Sequence, residues 1–232
     1  MPLLALDTSS DACSAAVLTS EACFTEFELT PRAHTQLILP MVESVLKQAD
    51  LELVQVDAIA FGRGPGAFTG VRIATGVAQG LALAANKKLL PISSLAALAQ
   101  QAYQQQQAQK ILVALDARMG EVYWGIFQVV DGQVKLQGEE QVLSPAAIDL
   151  PTEKGWIAVG SGWAAYPELL ARASDLVLAS YADWLPSAEF IAQLAWQDYQ
   201  AGRAVAAEQA QPIYLRNKIA QTTQERLALK TS

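Results

Sequence analysis

Apolar residues fall in two rhythms along the chain, and the change from one to the other marks its elements. Over the first 29 residues, apolar runs alternate with short polar breaks: a run ending at Asp7, a second over 12–19 and a third over 22–29, with a tight turn at Ser20–Glu21. That pattern predicts three strands in an antiparallel meander. Thr30-Pro31 ends it, and helical spacing follows, with Leu37, Met41 and Val45 on one line and Ile38, Val42 and Leu46 beside it. Pro40 bends this helix or marks its first turn. "VDAIAFGRG" (56–64) reads as a short buried strand ending in glycines, and 67–85 is helical in spacing despite its own glycines. A strand at Leu89–Ile92 and a helix from Ser93 complete the order β-β-β-α-β-α-β-α.

The same pattern then returns. "VALDARMGEVYWGIF" (113–127) lies over "LALDTSSDACSAAVL" (4–18) at a constant offset, matching Leu115-Asp116 to Leu6-Asp7. Farther on, "IAVGSG" (157–162) echoes "IAFGRG" (59–64), again an apolar strand delivering glycines into a helix. Two echoes in one order predict a duplication. The glutamine-rich stretch "QQAYQQQQAQK" (100–110) sits at the join, which places a boundary near 105 and divides the chain into lobes 1–104 and 105–232. The fold class expected is α/β, with two β-β-β-α-β-α lobes, the second reduced. Two such lobes, each opening on a strand that ends in Asp, resemble the duplicated actin-like (ribonuclease H-like) fold of actin, Hsp70 and the sugar kinases. In that fold two acidic hairpins face each other across a cleft that holds ATP.

Composition narrows the function. With 52% hydrophobic and 17% charged residues the chain reads as an ordinary folded protein, and its net charge of −7 argues against binding nucleic acid unaided. The basic tail, where Arg216, Lys218, Arg226 and Lys230 outweigh Glu225, is either a solvated helix or an RNA contact. Two cysteines, Cys13 and Cys23, and a start without a basic, apolar leader point to a cytoplasmic protein with reduced thiols. The run 80–92 is broken by Asn86, Lys87 and Lys88, so no membrane span is expected.

"GRGPGAFTGVRIATG" (62–76) is the most unusual stretch. A P-loop requires a lysine that is absent here, and a dinucleotide fingerprint requires a glycine where Thr69 stands. A looser anion cradle remains open, built from backbone N–H groups of Gly64–Ala67 ahead of a helix. Its candidates are Asp7, Thr8 and Ser9 of the first acidic hairpin with Gly62, Gly64 and Gly66, against the alternative of a purely structural turn. The second hairpin, Asp116-Ala117-Arg118, carries an arginine where nucleotide-binding relatives want glycine, so a side chain crowds the cleft and no cofactor is expected. In the following helix, Thr69, Ile73, Gly76, Gly80 and Ala84 share a face. Each interior glycine costs about 1 kcal/mol relative to alanine, which makes sense where another helix comes very close. Whether that neighbour is the helix over 34–49 or another protein stays open.

No catalytic set emerges. His34 is the single histidine and the residue one turn on is Ile38, so a helical metal pair is lacking and no metal site is expected. A Ser-His-Asp site would have to recruit His34, no G-x-S-x-G elbow occurs, and Cys13 sits in a strand. His34 reads as a helix-start or interface residue.

"LLALDTSS", "RAHTQLILPMVESVL", "DAIAFGRGPGAFTGVRIATGVAQGLALA" and "QPIYLRNKIA" resemble, in order and spacing across nearly the whole chain, the TsaB (YeaZ) family of tRNA threonylcarbamoyladenosine biosynthesis proteins. The chain departs from the family pattern at Ala67 and Ala74, where serine and glycine are common. The resemblance implies an actin-like protein that is not itself the catalyst. The paralogue TsaD carries the metal-binding histidine pair and modifies adenosine 37 of tRNAs reading codons that begin with A. The ATPase TsaE joins the assembly, and the surface that pairs with TsaD makes a homodimer when TsaD is absent. Carried onto this chain, that surface comprises His34, Leu37, Met41, Val45, Thr69, Arg72, Ile73, Gly76 and Gly80, and tRNA is reached only through the complex. Two rival expectations are an autonomous ATP-dependent kinase, disfavoured by Arg118 and the short second half, and a metalloenzyme like the paralogue, disfavoured by the missing pair.

Overall fold

β1 (Leu3–Asp7), β2 (Ala12–Leu18) and β3 (Cys23–Leu29) form the expected meander, with Leu6 opposite Ala15 and Ser14 opposite Phe27. The computed structural model describes residues 1–216, so Lys218, Glu225, Arg226 and Lys230 of the basic tail lie outside the described residues. After α1 (His34–Gln48) the chain returns as β4 (Ala58–Gly62), parallel to β1, and after α2 (Phe68–Ala85) as β5 (Lys88–Ile92), parallel to β4. The first sheet therefore runs β3-β2-β1-β4-β5. Every residue of β1 and β4 is buried, because helices cover both faces of the sheet's parallel centre.

The second half repeats this plan. α3 (Ser94–Gln106) leads to β6 (Lys110–Arg118), β7 (Glu121–Val130) and β8 (Gln133–Leu143), then β9 (Trp156–Val159), α4 (Gly162–Ala165), α5 (Pro167–Arg172), β10 (Val177–Tyr181) and α6 (Ala188–Gln200). Its sheet order, β10-β9-β6-β7-β8, matches the first strand for strand, with β9 parallel to β6 as β4 is to β1. The reduction is in the helices. Where α1 stands in the first lobe, the second has a single 3-10 turn at Pro145–Ala147, and α4 with α5 replaces the long α2. The segment 144–155 contains Pro145 and Pro151 and lacks a repeating apolar stripe, so nothing favours a helix there.

The helices do not respect the sequence boundary. α1 and α2 cover one face of the first sheet, packing Ile38, Val45, Ala74 and Ala78 on Leu4, Leu6, Ile59 and Phe61. The opposite face, with Leu3, Ala5, Ala58 and Ala60, is covered by α6, which the division at 105 assigns to the second lobe. α3, assigned to the first lobe, packs Leu95, Leu98 and Ala102 on Ile111, Val113 and Val159 of the second sheet. A cut near 105 thus divides the chain but not its cores, since each half lends a helix to the other. α3 and α6 form the layer between the sheets, and α4 and α5 close the far side around Trp124, Trp156 and Trp163.

Polar contacts pin the middle layer. The Ser14 hydroxyl accepts from the Ala188 N–H at 2.9 Å where α6 begins. Arg63 pairs with Glu140 at 3.1 Å, and Glu140 also accepts from the Ser93 hydroxyl, whose oxygen caps α3 by accepting from Leu95 and Ala96 at 3.1 Å. By length and composition α2, the helix expected over 67–85, suffices to cross a bilayer, although the run 80–92 alone is too short and too broken to do so. Its face of Gly70, Val71, Ala74, Ala78 and Ala82 is buried in the protein, while Phe68 and Leu83 are exposed.

Candidate functional site

The first acidic hairpin and the glycine-rich turn meet at the C-terminal edge of the first sheet, where this architecture places ligands. Asp7 ends β1 fully buried. Its Oδ1 accepts from the N–H and the hydroxyl of Ser9, both at 2.9 Å, while Oδ2 has no partner among the described residues. Burial pushes this carboxyl up from 3.8 to about 7, with the Ser9 bonds opposing the shift. The Ser9 oxygen accepts from Ser94 of α3 at 3.0 Å, and the Thr8 hydroxyl donates to the Gly70 carbonyl at 2.6 Å.

Three glycines allow this closeness. A methyl group on Gly62 would overlap Oδ2 of Asp7, on Gly66 the Ser9 carbonyl, and on Gly70 the Thr8 carbonyl. The Ala67 N–H donates to the same Ser9 carbonyl at 2.7 Å. Gly64 holds φ at +93°, beneath the side chain of Val71. The groups facing these glycines are two carbonyls and a carboxyl, the N–H groups of Ser9 and Ala67 are used, and Ser9, Gly66 and Ala67 border a cleft. At Gly62, Gly66 and Gly70 the missing side chains let the protein's own carboxyl and carbonyl groups approach.

Beside this zipped contact lies an interlobe cleft of about 940 Å³. The first lobe lines it with Ser10, Arg32, His34 and Thr69, the second with Leu115, Asp116, Arg118 and Tyr123, and the C-terminal segment with Tyr214 and Arg216. Arg118 takes φ +60°, the conformation a glycine would have supplied, followed by Met119 at +58°. Its N–H donates to Asp116 Oδ1 at 2.8 Å, and Tyr166 donates to the same oxygen at 3.0 Å. His34 is 8% exposed, with Nε2 2.9 Å from the Ser10 carbonyl, so the ring ties the start of α1 to the hairpin. Among the described residues no group of three or more His, Cys, Asp or Glu is placed to hold a metal ion.

The outward side of the α1–α2 layer differs from the surface expected. Met41 and Val45 lie in the core, and Leu37 is half-buried against it, because both apolar lines of α1 point inward. The outward apolar residue is Leu39, 51% exposed; its sequence signal is a leucine lying off both lines. On α2, Thr69, Arg72, Gly76 and Gly80 are exposed and Ile73 is half-buried. Apart from the neighbouring residues and backbone of α2 itself, no described atom lies within 4 Å of a methyl group built on Gly76 or Gly80, so these glycines do not accommodate α1. Phe68, Leu83 and Tyr214, which sequence reasoning passed over, are exposed as well, with the Arg72 guanidinium 3.4 Å from the centre of the Phe68 ring.

Taken together, these features define a duplicated actin-like α/β protein whose glycine turn packs on its own hairpin at the edge of an interlobe cleft and whose second helix is thinned on its exposed side. Residues 27–230 match the family model described as TsaD: tRNA N6-adenosine threonylcarbamoyltransferase. The tRNA threonylcarbamoyladenosine biosynthesis protein TsaB of Escherichia coli K12 is 44% identical, over 95% of this chain and 96% of its own length. The protein of that name from Haemophilus influenzae is 43% identical, over 94% and 95%. The structure of YeaZ from Pseudomonas aeruginosa superposes with a TM-score of 0.87 at 48% identity, covering 92% of this chain and 99% of that one. The chain belongs to the TsaB family.

Proposed function

We propose that this chain is a non-catalytic subunit in tRNA threonylcarbamoyladenosine biosynthesis, docking through the outward side of α1 and α2 onto a catalytic paralogue of the TsaD type. The observation that carries this reading is Gly76 and Gly80 facing open space: two helix-weakening residues kept where no described part of the chain needs them. Leu39, Ile73 and Leu83 give that side its apolar contacts, with Glu43, Lys47, Thr69 and Arg72 as polar and charged neighbours, and in the absence of TsaD the same side closes a homodimer. The lone, buried His34 and the missing P-loop lysine in 62–76 support a division of labour in which the partner performs the chemistry. The net charge of −7 supports tRNA being held by the complex, with the ATPase TsaE as a further member, in the cytosol.

Reconstituted threonylcarbamoylation of tRNA is expected to fall when this chain is omitted, and folded Gly76→Arg and Gly80→Arg variants are expected to lose TsaD in pull-down. Unchanged modification on omission, or normal TsaD binding by both variants, would refute the reading. The cleft of about 940 Å³ favours a second reading, an autonomous kinase. Tight ATP binding with turnover by the isolated chain, measured calorimetrically, would establish it.

A further inference from the structure

Residues 211–216 cross from one lobe to the other alongside α2. The half-buried Gln79 amide of α2 donates to the carbonyls of Ala207 and Ala210, both at 3.0 Å, and sets the path. The Ile213 N–H then donates to the Arg63 carbonyl at 2.9 Å, and the Ile213 carbonyl lies over Gly64. The Tyr214 ring centre is 5.6 Å from that of Phe68, and the Arg72 guanidinium lies 5.3 Å from the Tyr214 centre while covering Phe68. Two residues later the chain reaches the second lobe. Arg216 Nε donates to Glu121 at 2.9 Å, and Nη2 donates to the carbonyls of Ala117 and Arg118 at 3.0 and 3.2 Å. Those carbonyls directly precede the two residues of the left-handed pair Arg118–Met119, so the guanidinium holds a strained turn at the cleft.

Neither Tyr214 nor Arg216 belongs to a hydrophobic core, and the segment walls the cleft from outside. Arg72 has two roles at once. It stands on the exposed side of α2 and it forms part of the stack that holds Tyr214.

We propose that residues 211–216 are a coupling strap, through which a protein docked on the outward side of α2 acts by way of Arg72, Tyr214 and Arg216 on the 116–121 turn and the cleft. This rests on the docking reading above. Docking removes Arg72 from water, which strengthens a cation–π contact that hydration weakens. Tyr214 is then held, and the two-residue tether limits the excursions of Arg216. A partly exposed ion pair such as Arg216–Glu121 is weak by itself, so a small bias shifts its population.

Hydrogen exchange on the full chain, with and without its TsaD-type partner, tests this. Docking is expected to slow exchange in α2 and, by at least about fivefold, in residues 115–123. Arg216→Ala is expected to keep partner affinity and α2 protection but lose the response at 115–123. Arg216→Lys, which keeps the charge without the planar fork, is expected to restore part of it. A response at 115–123 that survives Arg216→Ala, or that is missing in the wild type while α2 is protected, overturns the strap alone. An α2 left unprotected, whether or not a complex forms, overturns the docking reading and the strap with it.

Discussion

Asp7 shows how far one side chain's environment changes its chemistry. Below its unfolded value of 3.8 the carboxyl is protonated in both states and its burial carries no electrostatic penalty. Between 3.8 and about 7 the unfolded chain releases the proton while the folded protein keeps it, so stability falls as pH rises; above about 7 the penalty is constant. At 1.36 kcal/mol per pH unit this amounts to a loss on the order of 4 kcal/mol. Asp7→Asn, which can still accept from Ser9, is expected to flatten urea-unfolding stability across pH 4–7. Glu189, raised in the same direction by burial, contributes a slope of the same sign. An unchanged slope would show that Asp7 ionises freely in the folded state. Gly62→Ala, which forces a methyl group onto the same carboxyl, is expected to destabilise by about 1–3 kcal/mol.

On the scale of elements, α2 carries two kinds of glycine. Gly70 is buried against the Thr8 carbonyl and accepts no side chain, whereas Gly76 and Gly80 are exposed with room to spare. Gly76→Ala and Gly80→Ala are each expected to stabilise the isolated chain by about 1 kcal/mol and to weaken binding of the TsaD-type partner, seen by thermal unfolding and titration side by side. A stabilised variant with undiminished binding would remove the reason for the glycines. α1 divides in the same way. Met41→Ala is expected to cost about 2–5 kcal/mol of stability, because it opens a cavity in the core. Leu39→Ala is expected to leave stability nearly unchanged and act on binding, because its side chain is already in water.

For the whole molecule, the question is what holds two lobes at one angle. Helix exchange commits each sheet to a helix from the other half, and the Arg63–Glu140–Ser93 contact ties the glycine turn of the first lobe to β8 of the second. Both charged side chains of this contact are largely buried, so Glu140→Ala, which strands Arg63, is expected to destabilise by about 3 kcal/mol. The double variant Arg63→Met with Glu140→Leu is expected to recover most of that loss. Denaturant unfolding of the singles and the double gives the coupling, and additive losses would show that the pair does not act as a unit.

Much of this architecture was legible in the chain. Alternating and helical spacings marked β1 to β5 and α1 to α3, and the return of Leu-Asp at 115–116 announced a second sheet of the same order. The lone His34 with Ile38 one turn on, and the missing lysine in 62–76, already excluded the metal pair and the P-loop. Three matters were decided only by tertiary structure. Periodicity shows that a helix has an apolar face but not which sheet receives it, since burial is non-directional; the exchange of α3 and α6 across the boundary near 105 was therefore invisible. The two apolar lines of α1 named a face without saying that all of it is core, which moved Met41 and Val45 inside. A glycine records a missing side chain, never what occupies the space. Only the packing of distant segments shows protein backbone against Gly66 and Gly70, and no described segment against Gly76 and Gly80.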